Sequence, residues 1–256
     1  MTPFERLCQI VAQLRAPGGC PWDREQTNAS LAPKLLEEAY ETDHAIREND
    51  DDNLREELGD VLLLVVMHAE IAREAGRFEI GQIVHEVTEK LIRRHPHVFG
   101  DAEVKESEGV VRQWEAIKHG EKARQHYLEG VAAALPALMR AEKIQKKAAR
   151  VHFDWSSLAD VVAKVDEELA ETKEAIQSND SRAIEDEIGD LLFAVTNLAR
   201  KAGLDAEATL QSATDKFVGR FNHLEDRVRA RGKQLGELRL EELDAIWEEL
   251  KLTKTK

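Results

Sequence analysis

The feature that most constrains this chain is an internal repeat with a constant offset of 130 residues. The segment KLLEEAYE from Lys34 matches KVDEELAE from Lys164, and REELGDVLL from Arg55 matches EDEIGDLLF from Glu185. Two separate blocks share one offset, so the Glu-rich composition alone does not explain the match. The sequence therefore predicts two copies of one fold in tandem.

The apolar residues of both copies recur at helical spacing. The stripe of the second half is Val161, Val165, Leu169, Thr172 and Ile176, and that of the first half is Leu35, Ala39, Thr42 and Ile46. Spacings of three and four residues place such a stripe on one face of an amphipathic helix. Period-two alternation, which would indicate strands, is weak. The pattern predicts an all-α chain in which each half resembles a small four-helix bundle.

Helix-breaking and polar segments predict the domain boundaries. Polar connectors at residues 48–53 and 178–181 lie between the two acidic blocks of each half, so each joins two neighbouring helices. Pro96 ends a helix, because proline cannot continue one. The expected organisation is an N-terminal domain over residues 1–119, a linker over 120–136 and a C-terminal domain over 137–256.

Charge excludes several classes of partner. Among 256 residues, 50 acids against 36 bases give a net charge of -14. A chain this acidic is a poor ligand for polymeric nucleic acid or an anionic membrane surface. The longest apolar run, Val61 to Met67, is far too short to span a membrane, and no secretory signal pattern is present. We expect a cytoplasmic protein.

The repeated acids are the candidate chemical site. Glu168 and Glu171 share one helix face, and Glu187 and Asp190 share a face of the next helix. Both pairs border the apolar stripe, so their carboxylates converge, and a divalent cation relieves the repulsion. Oxygen-only ligands suit Mg²⁺ or Mn²⁺. The alternative is that these acids are solvated and paired with bases, as on most charged helices.

The acidic motif and other segments together carry a family resemblance. The motif E-E-x-x-E followed by E-x-x-D occurs with GGCPWDREQT, with RRHPHVF from Arg93 and with LPALMRAEKIQKKAA from Leu135. In this combination the chain resembles a full-length, two-domain member of the MazG family of all-α nucleoside triphosphate pyrophosphohydrolases. The acidic motif alone is less specific, because dUTPases and phosphoribosyl-ATP pyrophosphohydrolases belong to the same superfamily.

The resemblance implies an activity, a cofactor and an assembly. Ribo- and deoxynucleoside triphosphates would be hydrolysed between the α and β phosphates, with Mg²⁺, by a homodimer. The implied metal ligands are Glu168, Glu171, Glu187 and Asp190, with the first-half counterparts Glu38, Glu41, Glu57 and Asp60. Glu167 is a further catalytic candidate. The implied substrate contacts are Lys164, Glu167, Lys216, Arg220 and Trp247, with Lys34, Glu37, Lys90, Arg94 and Trp114 in the first half.

Several alternatives stay open at the level of the sequence. Lys216 and Arg220 are equally consistent with surface cations, and Trp247 with a packed core residue. A narrow dUTPase-like pyrophosphatase and a non-enzymatic helical interaction protein are the rival functions. The segment His95-Pro96-His97 lacks the third ligand of a zinc site, and no P-loop or Rossmann glycine motif is present. We expect the second half to be the better catalyst.

Overall fold

A computed structural model describes residues 1–103, 106–121 and 126–253 of the chain. Within these residues every regular element is a helix and there is no strand, which confirms the predicted all-α class. The chain divides into two compact units, Met1–Ala123 and Arg124–Lys256. Residues 122–125 of the expected linker lie outside the described residues, and the domain bounds given above stay a prediction.

The first unit is built around a pair of long helices. Its elements are α1 (Pro3–Arg15), α2 (Pro21–Glu25), α3 (Asn28–Glu48), α4 (Asp51–Glu74), α5 (Ile80–Arg94), α6 (Pro96–Phe99) and α7 (Ser107–Gly120). Helices α3 and α4 pack along each other, α1 packs on α4, and α7 packs on α5. The core contains Val11, Leu31, Leu64, Val66, Met67 and Ile71.

The second unit repeats the long helical pair. Its elements are α8 (Ala137–Ala149), α9 (Leu158–Ser178), α10 (Ser181–Lys201), α11 (Ala206–Ala230), a 3₁₀ turn (Leu235–Glu237) and α12 (Leu240–Thr253). Helices α9 and α10 form the pair, α8 packs on α10, and α12 packs on α11. Leu224, Val228 and Ile246 form a small core where α11 meets α12.

The start of the first helix of each pair is fixed by equivalent capping residues. The Thr27 hydroxyl accepts the backbone N–H of Ser30 at the start of α3. The Ser157 hydroxyl accepts the backbone N–H of Asp160 at the start of α9. Both are capping boxes and the offset is again 130 residues, so the two pairs of helices begin in the same register.

The connection inside each pair is also duplicated. Asn49 is the C-cap residue of α3 and Asn179 is that of α9, and both asparagines are left-handed, with φ of 55° and 58°. Asparagine tolerates this conformation better than other non-glycine residues. Asp50 and Asp180 then cap α4 and α10. These tight turns make the paired helices antiparallel neighbours, as the polar connectors predicted.

None of the described helices combines the length and apolar character needed to cross a membrane.

Candidate active site

Three carboxylates of the second unit meet where α9 packs on α10. Glu168 and Glu171 lie one turn apart on α9, and Glu187 faces them from α10. Carboxylate oxygens of the three residues all lie within 4.8 Å of one another. Glu168 is buried, Glu187 is half-buried and Glu171 is exposed, so the group opens to solvent on one side. We call these three residues the second triad.

The first unit contains the same arrangement. Glu38 and Glu41 of α3 face Glu57 of α4, again with carboxylate oxygens within 4.8 Å and with the same order of burial. We call these residues the first triad. Among the described residues, the two triads are the places where three or more potential metal ligands come close together.

Burial and neighbouring acids raise the pKa values of three acids in the two triads, Glu187, Glu57 and Glu41. Desolvation, followed by repulsion from Glu171 and Glu168, raises the pKa of Glu187 above its usual value. The same two causes raise the pKa of Glu57, and a hydrogen bond shared with Glu38 raises that of Glu41. A cation placed among the oxygens would remove this repulsion. The donor set, made only of carboxylate oxygens, fits a hard divalent cation.

Asp60 and Asp190, the fourth predicted ligands, lie outside the triads. Asp190 is exposed and Asp60 is half-buried. Each is still close enough to raise the pKa of the glutamate three residues before it, Glu57 or Glu187. The structure thus brings three of the four predicted ligands of each half together and places the aspartate beside them.

In each unit, a lysine on the preceding helical turn neutralises part of the negative charge of the triad. Lys164 Nζ lies 2.7 Å from Glu167 Oε1 and 2.7 Å from the buried Glu168 Oε1. Lys34 forms the matching pairs with Glu37 and Glu38 at 3.1 and 3.2 Å. The hydrogen bonds that both lysines donate to these acids raise the pKa of each lysine, so both stay charged at neutral pH.

Thr172 is a buried residue that supports the second triad, a role that the sequence analysis did not identify. The Thr172 hydroxyl donates to the carbonyl of Glu168 at 2.7 Å and also lies 3.3 Å from the carbonyl of Glu187 on the other helix. Its first-unit counterpart, Thr42, donates to the carbonyl of Glu38 at 2.8 Å. The repeat offset identifies this pair, although the sequence analysis placed it only in the apolar stripe.

The remaining predicted substrate contacts of the second unit lie on α11 and α12. The Arg220 guanidinium carbon lies 5.0 Å from the centre of the Trp247 ring, and the Phe217 ring lies 5.2 Å from it. Trp247 is half-buried and packs against the small core of α11 and α12. Lys216, on the same helix as Arg220, is exposed.

The corresponding residues of the first unit lie on α5 and α7. The Arg94 guanidinium carbon lies 5.2 Å from the Trp114 ring centre, and the His95 ring lies 4.8 Å from it. Arg94 and Arg93 both donate to Glu121, a contact that the sequence analysis did not identify. Lys90 is half-buried on the preceding turn of α5.

Comparison with known proteins decides the family. A profile described as "MazG nucleotide pyrophosphohydrolase domain" matches residues 26–99 and 157–225, so each match contains one triad. The chain belongs to the MazG nucleotide pyrophosphohydrolase family. The two matches also confirm the predicted duplication, and the family predicted from the sequence is confirmed.

Named relatives in the MazG family are similar over nearly the whole chain. A nucleoside triphosphate pyrophosphohydrolase/pyrophosphatase MazG of Thermotoga maritima is 48% identical over 97% of this chain and 95% of its own length. A nucleoside triphosphate pyrophosphohydrolase of Escherichia coli K12 is 47% identical over 98% of both chains. One of Mycobacterium tuberculosis is 34% identical over 88% of this chain and 59% of its own length.

Proposed function

We propose that this chain hydrolyses nucleoside triphosphates between the α and β phosphates and releases a nucleoside monophosphate and pyrophosphate. The observation that carries the proposal is the second triad, which gathers three carboxylates where α9 packs on α10 and in which the pKa of Glu187 is raised. Relatives that match along nearly their whole length bear the name nucleoside triphosphate pyrophosphohydrolase.

We further propose Mg²⁺ as the cofactor, with Mn²⁺ as a substitute. Glu168, Glu171 and Glu187 would hold the ion, and Asp190 would stand beside them. MazG enzymes are metal-dependent as a family, and the donor set is made of oxygens alone. When bound, the cation supplies positive charge that offsets the acids and the charge developing on the departing pyrophosphate.

Residues of α9 would prepare the attacking water. Glu167 is exposed beside the triad, and Lys164 fixes its carboxylate at 2.7 Å. In this position Glu167 Oε is suited to accept a proton from the water that attacks the phosphorus. Lys164 forms ion pairs with both Glu167 and Glu168. It would therefore orient the general base, Glu167, and a proposed metal ligand, Glu168, at the same time.

Arg220 and Lys216 would bind the phosphate chain, and Trp247 would position Arg220. Arg220 and Lys216 lie one turn apart on α11 and offer positive charge to one phosphate chain. Trp247 is packed on one side and supports the guanidinium of Arg220, so we assign it the role of orienting that side chain. Lys34, Glu37, Lys90, Arg94 and Trp114 are the matching residues of the first unit.

Homodimerisation is part of the proposal. Ile188, Leu192 and Val195 form a stripe along α10, and each side chain is exposed. Leu58 and Leu62 form the same stripe on α4, at the repeat offset. Exposed apolar stripes beside a candidate site mark a surface that is covered in solution. We also expect the enzyme in the cytoplasm, where nucleoside triphosphates are made and used.

The test is a panel of common ribo- and deoxynucleoside triphosphates with Mg²⁺, scored by product. The expected result is that triphosphates of several different bases are each converted to the monophosphate and pyrophosphate. Turnover of dUTP alone would replace broad specificity with the dUTPase-like alternative. No turnover, together with no change in melting temperature when Mg²⁺ and a non-hydrolysable triphosphate are added, would favour the non-enzymatic helical protein.

A further inference from the structure

The two units present equivalent arginines on equivalent aromatic supports. Arg94 lies over Trp114 at 5.2 Å, and Arg220 lies over Trp247 at 5.0 Å. Each arginine is half-buried, and Arg94 on α5 and Arg220 on α11 occupy matching positions of the repeat. The ring supports the guanidinium and leaves N–H groups of the arginine to bind a ligand. The two arginines therefore start from the same geometry.

The ligands of these two arginines differ. Arg94 donates from Nε and from its terminal nitrogen to the two oxygens of Glu121, and Arg93 Nε lies 2.8 Å from the same carboxylate. Arg94 and Glu121 are 11% and 19% exposed in this pair. Arg220 has no ion pair with any residue of the described ranges, and its Nε is buried without a hydrogen-bond partner.

The two units also differ in sequence at this position. Glu121 follows Trp114 by seven residues, which is two helical turns and returns to the same face. The residue that follows Trp247 by seven is Lys254, which lies outside the described residues. In the sequence, an acid of one half thus corresponds to a base of the other half, in a chain that keeps the acidic motif in both halves.

We propose that Glu121 is an internal ligand that occupies Arg94, so that the second unit of the free chain takes the triphosphate in preference to the first. A two-pronged carboxylate fills the same fork of N–H donors that a phosphate would use. The inference rests on the proposed function, because it takes Arg94 and Arg220 as the phosphate contacts of their units.

Protonation does not release this contact near neutral pH. Hydrogen bonds from Arg94, and then from Arg93, lower the pKa of Glu121 to about 2. An incoming phosphate must therefore displace a charged carboxylate that is already in place. If the pair is formed about nine-tenths of the time, the apparent affinity of the first unit falls roughly tenfold.

The experiment is calorimetric titration of the full chain with the Mg²⁺ complex of a non-hydrolysable α,β-methylene nucleoside triphosphate. The wild type should bind one ligand per chain tightly. Glu121→Gln should reveal a second site, strengthened about tenfold, and Glu121→Lys should do the same. Glu106→Gln, which changes an exposed acid at the start of the same helix, should bind as the wild type does.

Second-site changes assign each binding event to its unit. Arg94→Gln should remove the new site from Glu121→Gln, and Arg220→Gln should remove the wild-type site. Cooperative melting of the Glu121→Gln and Glu121→Lys chains shows that each variant is folded. One folded variant is enough to test the inference. Unchanged stoichiometry and affinity in a folded Glu121 variant would overturn this inference alone. The absence of binding in every variant would overturn the proposed function with it.

Discussion

At the scale of single residues, the proposed chemistry of this protein depends on carboxylates whose oxygens lie within 4.8 Å of one another. Glu187 is the clearest case, since burial and two neighbouring acids raise its pKa. Its counterpart Glu57 has a raised pKa for the same reasons. A raised acid pKa means that the folded chain resists losing this proton more than the unfolded chain does.

The first prediction concerns pH and metal together. Glu187 holds its proton more tightly in the folded chain than in the unfolded chain. As pH rises from the usual value of 4.5 through the raised pKa, its ionisation therefore destabilises the metal-free fold, and the cost stays constant above that window. Glu187→Gln should raise the melting temperature of the metal-free chain at pH 7 and change it little at pH 4. Mg²⁺ should raise the melting temperature of the wild type and have a smaller effect on the variant.

Asp186, a neighbouring acid on the same helix, offers a matched control for this experiment. Asp186→Asn removes a charge next to Glu187 without removing a member of the second triad. It should leave the Mg²⁺-dependent rise in melting temperature close to that of the wild type. Equal loss of the Mg²⁺ response in both variants would argue against a site centred on the triad.

The second prediction ranks the two triads. Glu171→Ala should lower kcat/KM for triphosphate hydrolysis at least about a hundredfold, because it removes a proposed metal ligand. Glu41→Ala, the same change in the first triad, should leave most of the activity. Steady-state kinetics with saturating Mg²⁺ measures both. If Glu41→Ala alone abolished turnover, the assignment of the second half as the better catalyst would be wrong.

At the scale of elements, the helical pairs are set by their caps and their connecting turn. The capping boxes at Thr27 and Ser157 begin the first helices, and left-handed asparagines end them. These are local interactions within a few residues. This is why the polar connectors and the helical class were predictable from the sequence, and the predicted α-helical class is confirmed.

The third prediction tests one of these turns. Asn179→Ala removes the short polar side chain that lets asparagine tolerate the left-handed conformation, so we expect a cost of about 1 kcal/mol in the free energy of unfolding. Asn179→Gly is the matched control, because glycine adopts this φ without strain. Urea unfolding should give the lower midpoint for the alanine variant. An alanine variant as stable as the glycine variant would contradict the assigned conformation.

At the scale of the whole molecule, each described unit leaves apolar side chains exposed beside its triad. Leu192, on the stripe of α10, is 56% exposed. Exposed apolar surface of this kind is costly in water and is relieved by association. The proposed homodimer would cover this solvent-facing side of the paired helices.

The fourth prediction concerns that assembly. By light scattering after size-exclusion chromatography, the wild type should have twice the 28.9 kDa chain mass. Leu192→Lys should shift the mass towards the single chain, because it places a charge within the apolar stripe. Leu204→Lys alters a comparably exposed leucine, 52%, in the loop after α10 and should stay dimeric. A monomeric wild type would refute the dimer.

The sequence by itself determined the duplication, the helical class, the family and the identity of the paired acids. These features follow from periodicity, from caps and from residues one helical turn apart, where the geometry of a helix leaves little choice. Tertiary structure alone decided that Asp190 stands outside the triad, that Trp247 is packed under Arg220, and that Arg94 is held by Glu121. Such contacts join different helices, so side-chain packing selects them, and no local pattern encodes that choice.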